Sequence, residues 1–377
     1  LGSGADSLVL TAAVTNTSIA VGSGNDSVSV GESLAAATGA LTLNGGDGTD
    51  SLYLSSDNHA VDASFTNVSN VEAVRYHATT NARVLTLGAN AQAAGIVKAA
   101  VTNDNGDITA TAYTTAIHLI AGTGTSDITG GGGADTLVGG AAVNTITTSA
   151  GNDTITGAAG NDVFTIDGTA AQTVVITDLG NGNDRIITTA TATVNATVEA
   201  TAGFTMVTGA NNGAVNVTVT DDLVAGQVAA FTASVNGYNI DSTANNNSIG
   251  ITGTSVADTV EAGTGDDTLT SGGGADTLTG GTGADDFVSK LMTAGTTLTD
   301  FVVAQTDQYG GIDCSDFETA TGVALTLIKA TTTDVGAEAV ASENATVSAA
   351  YDMNSAAADT NLLRLAGNYA SDTAVRD

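Results

Sequence analysis

Proline and tryptophan are absent from this 377-residue chain, and it holds only one cysteine, three histidines and eight basic residues. Each shortage removes a class of explanation. With Cys314 alone, no internal disulfide can staple the fold, and the thiol reads as a small buried hydrophobe. The scattered His59, His77 and His118 include no HExxH pair to hold a catalytic zinc, and they read as structural side chains. GxSxG elbows and phosphate loops are missing too. Eight Lys and Arg against forty Asp and Glu leave a formal net charge of −32. That balance argues against nucleic acid or an anionic membrane as partner, because phosphate contacts need basic side chains. No run approaches the ~18 apolar residues of a membrane helix, so insertion in a membrane is not expected.

What is present is equally lopsided. Charged residues are only 13% of the chain and nearly all carry one sign, so a compact fold would repel itself unless counter-ions neutralise it. Acidity with few aromatics can mean disorder. Here a hydrophobic fraction of 42%, rich in β-branched residues, argues for strands instead. The 47 glycines imply many tight turns. The chain opens on Leu1, already inside a repeat, as a fragment or a processed product would.

Residues 253–288 divide without remainder into four nonapeptides, GTSVADTVE, AGTGDDTLT, SGGGADTLT and GGTGADDFV. Residues 121–165 divide into five: AGTGTSDIT, GGGGADTLV, GGAAVNTIT, TSAGNDTIT and GAAGNDVFT. Both blocks follow G-G-x-G-x-D-x-U-x, where U is a large apolar residue, and the pattern resembles the RTX calcium-binding repeats. On that resemblance, six residues of each unit make a Gly-rich turn and three make a short strand with U pointing inward. Two units then form one 18-residue coil of a parallel β-roll. Glycine lets backbone carbonyls approach a cation and the sixth-position Asp adds a charged oxygen, which suits Ca2+ with its preference for hard oxygen ligands.

The family places each ion between turns stacked on one edge, so ligand partners should stand 18 residues apart. That pairs Asp135 with Asp153, Asp258 with Asp276, and Asp267 with Asp285. Asn144 pairs with Asp162, and its neutral side chain should weaken that edge. In the first copy Ser126 stands at the ligand position and Asp127 is displaced by one, a frayed site. The inward positions are Ile128, Leu137, Ile146, Ile155 and Phe164 in one block, and Val260, Leu269, Leu278 and Phe287 in the other. Each block ends on Phe, which reads as a plug over the open end of a thin core.

Three further copies stand alone at 2–9, 22–29 and 45–53. Their Asp6, Asp26 and Asp50 suggest longer solenoid rungs with one calcium edge, the alternative being three Asp-bearing hairpin turns. Val215, Val217 and Val219 alternate with polar residues as a half-buried strand does. The segments 173–187 and 297–317 are similar to the strand and Asp-rich turn that follow RTX blocks, which adds Asp184 as a ligand. Asn103, Asp104, Asp107, Asp221 and Asp222 read as surface turns. Arg75 and Arg83 follow FTNVSNVEAV, a phrase similar to segments of RTX-type surface-layer proteins. They are placed either to meet acidic surface on a neighbouring copy or to make a local salt bridge. The Ala- and Thr-rich tail, 318–377, lies where the family carries its secretion signal.

The expected fold is all-β: a parallel β-roll or β-solenoid of calcium-binding nonapeptides with interspersed β-segments. Its expected segments are rungs at 1–57, a connecting segment at 58–120, a first roll at 121–165, a β-rich segment at 166–252, a second roll at 253–288 and a cap at 289–377. The expected function is non-enzymatic. It is a calcium-dependent structural protein of the bacterial exterior, self-assembling into a surface layer or fibre. Calcium, other copies of itself and cell-surface polysaccharide are the candidate partners. The alternative is the calcium-folding carrier of a type I-secreted enzyme, toxin or adhesin whose active domain lies upstream. Either way, stacked acidic edges should not fold unneutralised. Far-UV circular dichroism of the full chain at pH 8 should lose its β signal in chelator and regain it in millimolar calcium; a spectrum indifferent to calcium would refute this.

Overall fold

The computed structural model describes residues 1–11, 17–31, 42–54, 61–77, 83–102, 106–178, 184–190, 193–199, 204–208, 215–220, 228–232, 237–288 and 296–299, with short strands at 308–310, 326–327 and 345–346. His59, Asn103, Asp104, Asp221, Asp222, Cys314 and most of the 318–377 tail lie outside the described residues. The chain divides into two compact units, Leu1–Ile187 and Thr188–Asp377.

Three-residue phrases such as Thr-Ile-Thr and Thr-Leu-Thr dictate the local structure. Alternation along a strand sends the central apolar side chain one way and the two flanking threonines the other. A strand this short cannot bury its apolar side alone, so it stacks on the equivalent strand of the next coil. In the first unit one parallel ladder runs through Ser7–Leu10, Ser27–Val30, Ser51–Leu54, Ala73–Tyr76, Lys98–Val101, His118–Ile120, Thr136–Val138, Thr154–Thr156 and Gln172–Asp178. A facing ladder joins Arg83–Thr86, Gly106–Thr109, Ser126–Thr129, Asn144–Thr147 and Val163–Ile166. A third joins Gly2–Ser3, Ser18–Ser23, Thr42–Asp47 and Val68–Ser69. The second unit repeats the plan. Val194–Val198, Val215–Val219, Tyr238–Asp241, Thr259–Glu261, Thr277–Thr279 and Thr297–Leu298 form one wall. Phe204–Thr208, Val228–Thr232, Gly250–Thr252, Thr268–Thr270, Asp286–Val288 and Gln308–Gly310 form the other.

This is a β-solenoid of parallel coils, and the apolar positions become columns. Leu119, Leu137, Ile155 and Ile176 stack in register, as do Ile108, Ile128, Ile146 and Phe164, all fully buried. In the second unit Ile240, Val260, Leu278 and Leu298 form one column and Ile251, Leu269 and Phe287 another. The segments expected to connect the rolls carry the same coils, because their alternating valines serve the same columns.

Two features depart from expectation. The phenylalanines are not plugs: Phe287 is in register with Tyr309, and beyond Phe164 the Arg185 N–H donates to the Asp162 carbonyl, which lays the coil of buried Ile186 onto that of Phe164. A ring is accommodated in mid-stack because the apolar column continues past it. Coils longer than 18 residues also fill their extra room. The 25-residue step from Ala73 to Lys98 carries the short helix Ala89–Ala93, whose first amides are capped by Asp62 from the preceding coil. In the second unit Phe204, Phe231 and Tyr238 pack ring against ring, at 5.9 and 5.0 Å between successive centroids.

Ile155 tests the column. Fully buried between Leu137 and Ile176, its replacement by Ala should cost about 2–5 kcal/mol in denaturant unfolding with calcium present. A loss near zero would mean that the stack is not the core.

Candidate metal centre

The sixth-position acids sit where each coil turns, and they form columns parallel to the apolar ones. In each column the backbone N–H of one acid donates to the carboxylate of the next coil's acid. Asp135 donates to Asp153 at 2.8 Å, Asp258 to Asp276 at 3.0 Å and Asp267 to Asp285 at 2.9 Å. Asn144 donates to Asp162 at 2.7 Å and Asp162 to Asp184 at 2.8 Å. The isolated copies do the same across wider spacings, Asp6 to Asp26 and Asp26 to Asp50, each at 2.7 Å. Hairpin turns are thereby excluded for these copies. The structure adds a member that the sequence pattern concealed: the Asp50 N–H donates to Glu72 at 2.7 Å.

These carboxylates are buried. Asp26, Asp50, Asp135, Asp153, Asp258, Asp267, Asp276 and Asp285 are each at most 3% exposed, as are Asp162 and Asp184; Asp6 is partly exposed. The N–H donor satisfies one oxygen only. At Asp26, Asp50 and Asp153 the second oxygen is buried with no hydrogen-bond donor. At Asp135 and Asp258, each the first Asp of its column, the turn itself supplies that donor, from Gly131 N–H and Thr254 N–H, both at 2.7 Å. Asp127 does not join a column. It lies exposed on the outer face of its strand with its N–H bonded to Asp107, while Ser126 takes the buried position, because a shift of one residue reverses the side a strand residue faces.

Burial without a counter-charge makes five acids of the two nonapeptide blocks weaker: Asp135, Asp153, Asp258, Asp267 and Asp276. Lost hydration pushes the pKa of Asp153 up to about 7, against the pull of the Asp135 N–H, with the Asp135 charge adding to the rise. Asp267 and Asp276 are pushed up to about 6 by burial, restrained chiefly by the N–H groups of Ile249 and Asp258. Asp135 and Asp258 rise for the same reason.

The turns bring carbonyl oxygens to the same places. A Cβ on Gly281 would stand 2.0 Å from the Gly263 carbonyl oxygen, and one on Gly272 1.8 Å from that of Thr254, so only glycine admits the stacked turn. Among the described residues no three His, Cys, Asp or Glu side chains converge. A cation here is therefore held by carboxylates together with backbone carbonyls. Donorless buried carboxylate oxygens beside close carbonyls fit a hard divalent cation. Asn144 departs from this. Its amide donates to the carbonyls of Gly140 and Ala142, turning protons toward acceptors that an Asp would leave open.

A family model described as the RTX calcium-binding nonapeptide repeat matches four times, over residues 34–58, 118–146, 129–164 and 252–287. The chain carries RTX repeats. They bind calcium and mark a protein of the secreted type. No curated protein and no solved structure matches the chain. The RTX matches cover the Asp50 copy but neither Asp6 and Asp26 nor Glu72, which the fold nevertheless places in the same column.

The remaining polar side chains are accounted for more plainly. His77 hydrogen-bonds Thr102 at 2.9 Å, and His118 stands in register between Lys98 and Thr136. Arg75 lies over the Tyr53 ring at 5.6 Å.

The RTX acids carry a pH consequence. The folded pKa values of Asp153, Asp267 and Asp276 lie above the ordinary 3.8, so the metal-free fold is favoured below about pH 4 and loses that support as pH rises through 6 to 7. In chelator, β signal absent at pH 8 should return in part at pH 5, and calcium affinity should rise across the same window. Chelator spectra that are the same at both values would contradict it.

Proposed function

We propose that this is a calcium-dependent structural protein of the bacterial cell exterior, which self-assembles into a surface layer or an extracellular fibre. The observation that supports this reading most is where the RTX coils sit. In the first unit they stack directly on the coils of His118–Ile120 and Gly106–Thr109, and in the second on Tyr238–Asp241 and Gly250–Thr252. In each unit the repeats are thus built into a continuous ladder with coils that carry no repeat signature.

The outer faces support assembly as well. Thr86, Thr109, Thr129, Thr147 and Thr165 stand in one half-buried column, in register from coil to coil. In the second unit Asn195, Asn216 and Asn239 form an exposed amide ladder, bonded side chain to side chain at 2.7 and 2.8 Å. Such uncharged, regularly spaced hydrogen-bonding faces suit another copy of the chain or a surface polysaccharide. A net charge of −32 opposes contact between copies, so divalent ions between acidic turns are the natural bridge. The second reading, a calcium-folding carrier for an enzyme, toxin or adhesin domain upstream, rests on the RTX repeats alone.

Electron microscopy and light scattering of the full chain during a chelator titration test the proposal. Ordered sheets or filaments are expected at millimolar calcium and should dissolve in chelator. Particles that stay monomeric in calcium, or assemblies that survive chelation, would favour the carrier.

A further inference from the structure

The N-terminal acid column does not stop with its last nonapeptide. Beyond GGDGTDSLY (45–53) the next coil reads NVSNVEAV (67–74), with neither glycine nor aspartate. It nevertheless places Ala73 and Val74 in register with Ser51 and Leu52, and the carboxylate of Glu72 on the Asp50 N–H. The match in place is closer than the match in sequence.

Gly45 records what surrounds that point. A Cβ there would stand 1.8 Å from the Asn70 carbonyl oxygen and 2.5 Å from Asp50 Oδ2. The two oxygens therefore crowd the same small volume. The same juxtaposition recurs inside an RTX block, where a Cβ on the first-position Gly253 would stand 2.7 Å from the Ser271 carbonyl oxygen and 2.8 Å from Asp258 Oδ2. Asn70 thus presents the carbonyl that the first residue of a following nonapeptide presents elsewhere. It does so from a left-handed backbone, φ 51°, which asparagine tolerates better than most residues. Its side-chain amide is tied to Asn44 Oδ1 at 2.8 Å.

The electrostatics distinguish this point from Asp258. There Thr254 supplies its N–H and hydroxyl to the carboxylate. Asp50 is 2% exposed, its Oδ2 has no donor, and among the described residues neither it nor Glu72 has an ion-pair partner. Asp50 Oδ2 and the Asn70 carbonyl, both acceptors, crowd one point, and the Glu72 carboxylate is held on the Asp50 N–H one coil on.

We propose that Asp50, the Asn70 carbonyl and Glu72 form a calcium site that reaches from the last isolated copy into the coil beyond it, and closes the N-terminal column. It rests on the calcium reading of the columns and extends it to a segment with no repeat signature. Calcium fits because it accepts irregular sets of about six to eight hard oxygens, whereas magnesium demands a tighter octahedron. The site also ties the column to the coil beyond. The Glu72 carbonyl accepts from the N–H groups of Val97 and Lys98, and the Val71 N–H donates to Ala94, next to the helix Ala89–Ala93.

Calorimetric calcium titration and amide hydrogen exchange on the full chain test this. Glu72→Gln keeps an acceptor for the Asp50 N–H and removes the charge. It should bind one ion fewer and lose calcium-dependent protection over residues 70–98, with an unaltered circular dichroism spectrum at saturating calcium. Glu72→Asp keeps the charge one methylene further back and should weaken the affinity for one ion. If Glu72→Gln fails to fold, Glu72→Asp decides. Full stoichiometry with wild-type affinity and protection, in Glu72→Gln or, failing that, in Glu72→Asp, overturns the site. A wild-type chain that binds no calcium at all would instead sink the calcium reading of every column.

Discussion

The contact that organises this protein runs from the backbone N–H of one acidic residue to the carboxylate of the next coil's acid. It sets the register, because the amide and the carboxylate meet only when equivalent residues of successive coils stand one above the other. It also concentrates charge of one sign. Coils in a parallel ladder lie about 4.8 Å apart, and at an effective dielectric of about 20 adjacent full charges repel by roughly 3–4 kcal/mol. A hydrogen bond to a charged group contributes only about 1.5–3 kcal/mol. The column is therefore not stable as a row of bare carboxylates, and either protons or cations must complete it.

The rest of the architecture follows from that requirement. Glycines at Gly272 and Gly281 let turns stack so closely that carbonyl oxygens reach the column. Threonines flank Ile146, Ile155, Leu269 and Leu278 on both sides, since a β-branched polar side chain suits the outer face of a short strand. Across the short nonapeptide strands such as Thr136–Val138, Thr154–Thr156 and Thr277–Thr279 the apolar column is thin, one buried side chain per strand, so burial alone supplies limited stability there. Neutralising the acid columns is the further contribution that the calcium-binding repeats make available.

Within this scheme the columns are not equivalent. Asp135 and Asp258 are satisfied by their own turns, whereas Asp26, Asp50 and Asp153 each keep a donorless oxygen. Asn144 directs an amide where its neighbours present carboxylate. Calcium affinity should thus vary along the chain, with the strongest demand where a buried acid has neither a turn donor nor a protein cation.

Much of this was legible in the sequence because a tandem repeat writes its own register. The 18-residue spacing identified the stacked pairs Asp135–Asp153, Asp258–Asp276 and Asp267–Asp285, and the U positions identified the buried columns, since both depend only on a local period of nine. Composition likewise determined an acidic, disulfide-free, β-rich chain. Tertiary structure alone decided what lies between coils of unequal length. Asp50 meets Glu72 across 22 residues and Asp62 caps a helix 28 residues on, and no local period announces either. It also decided which side of a strand Asp127 faces, and that Phe164 and Phe287 lie within their columns instead of closing them. The physical reason is the same in each case: which residues stack depends on where one coil's path brings the chain back onto the last, and side chains far apart in sequence set that path.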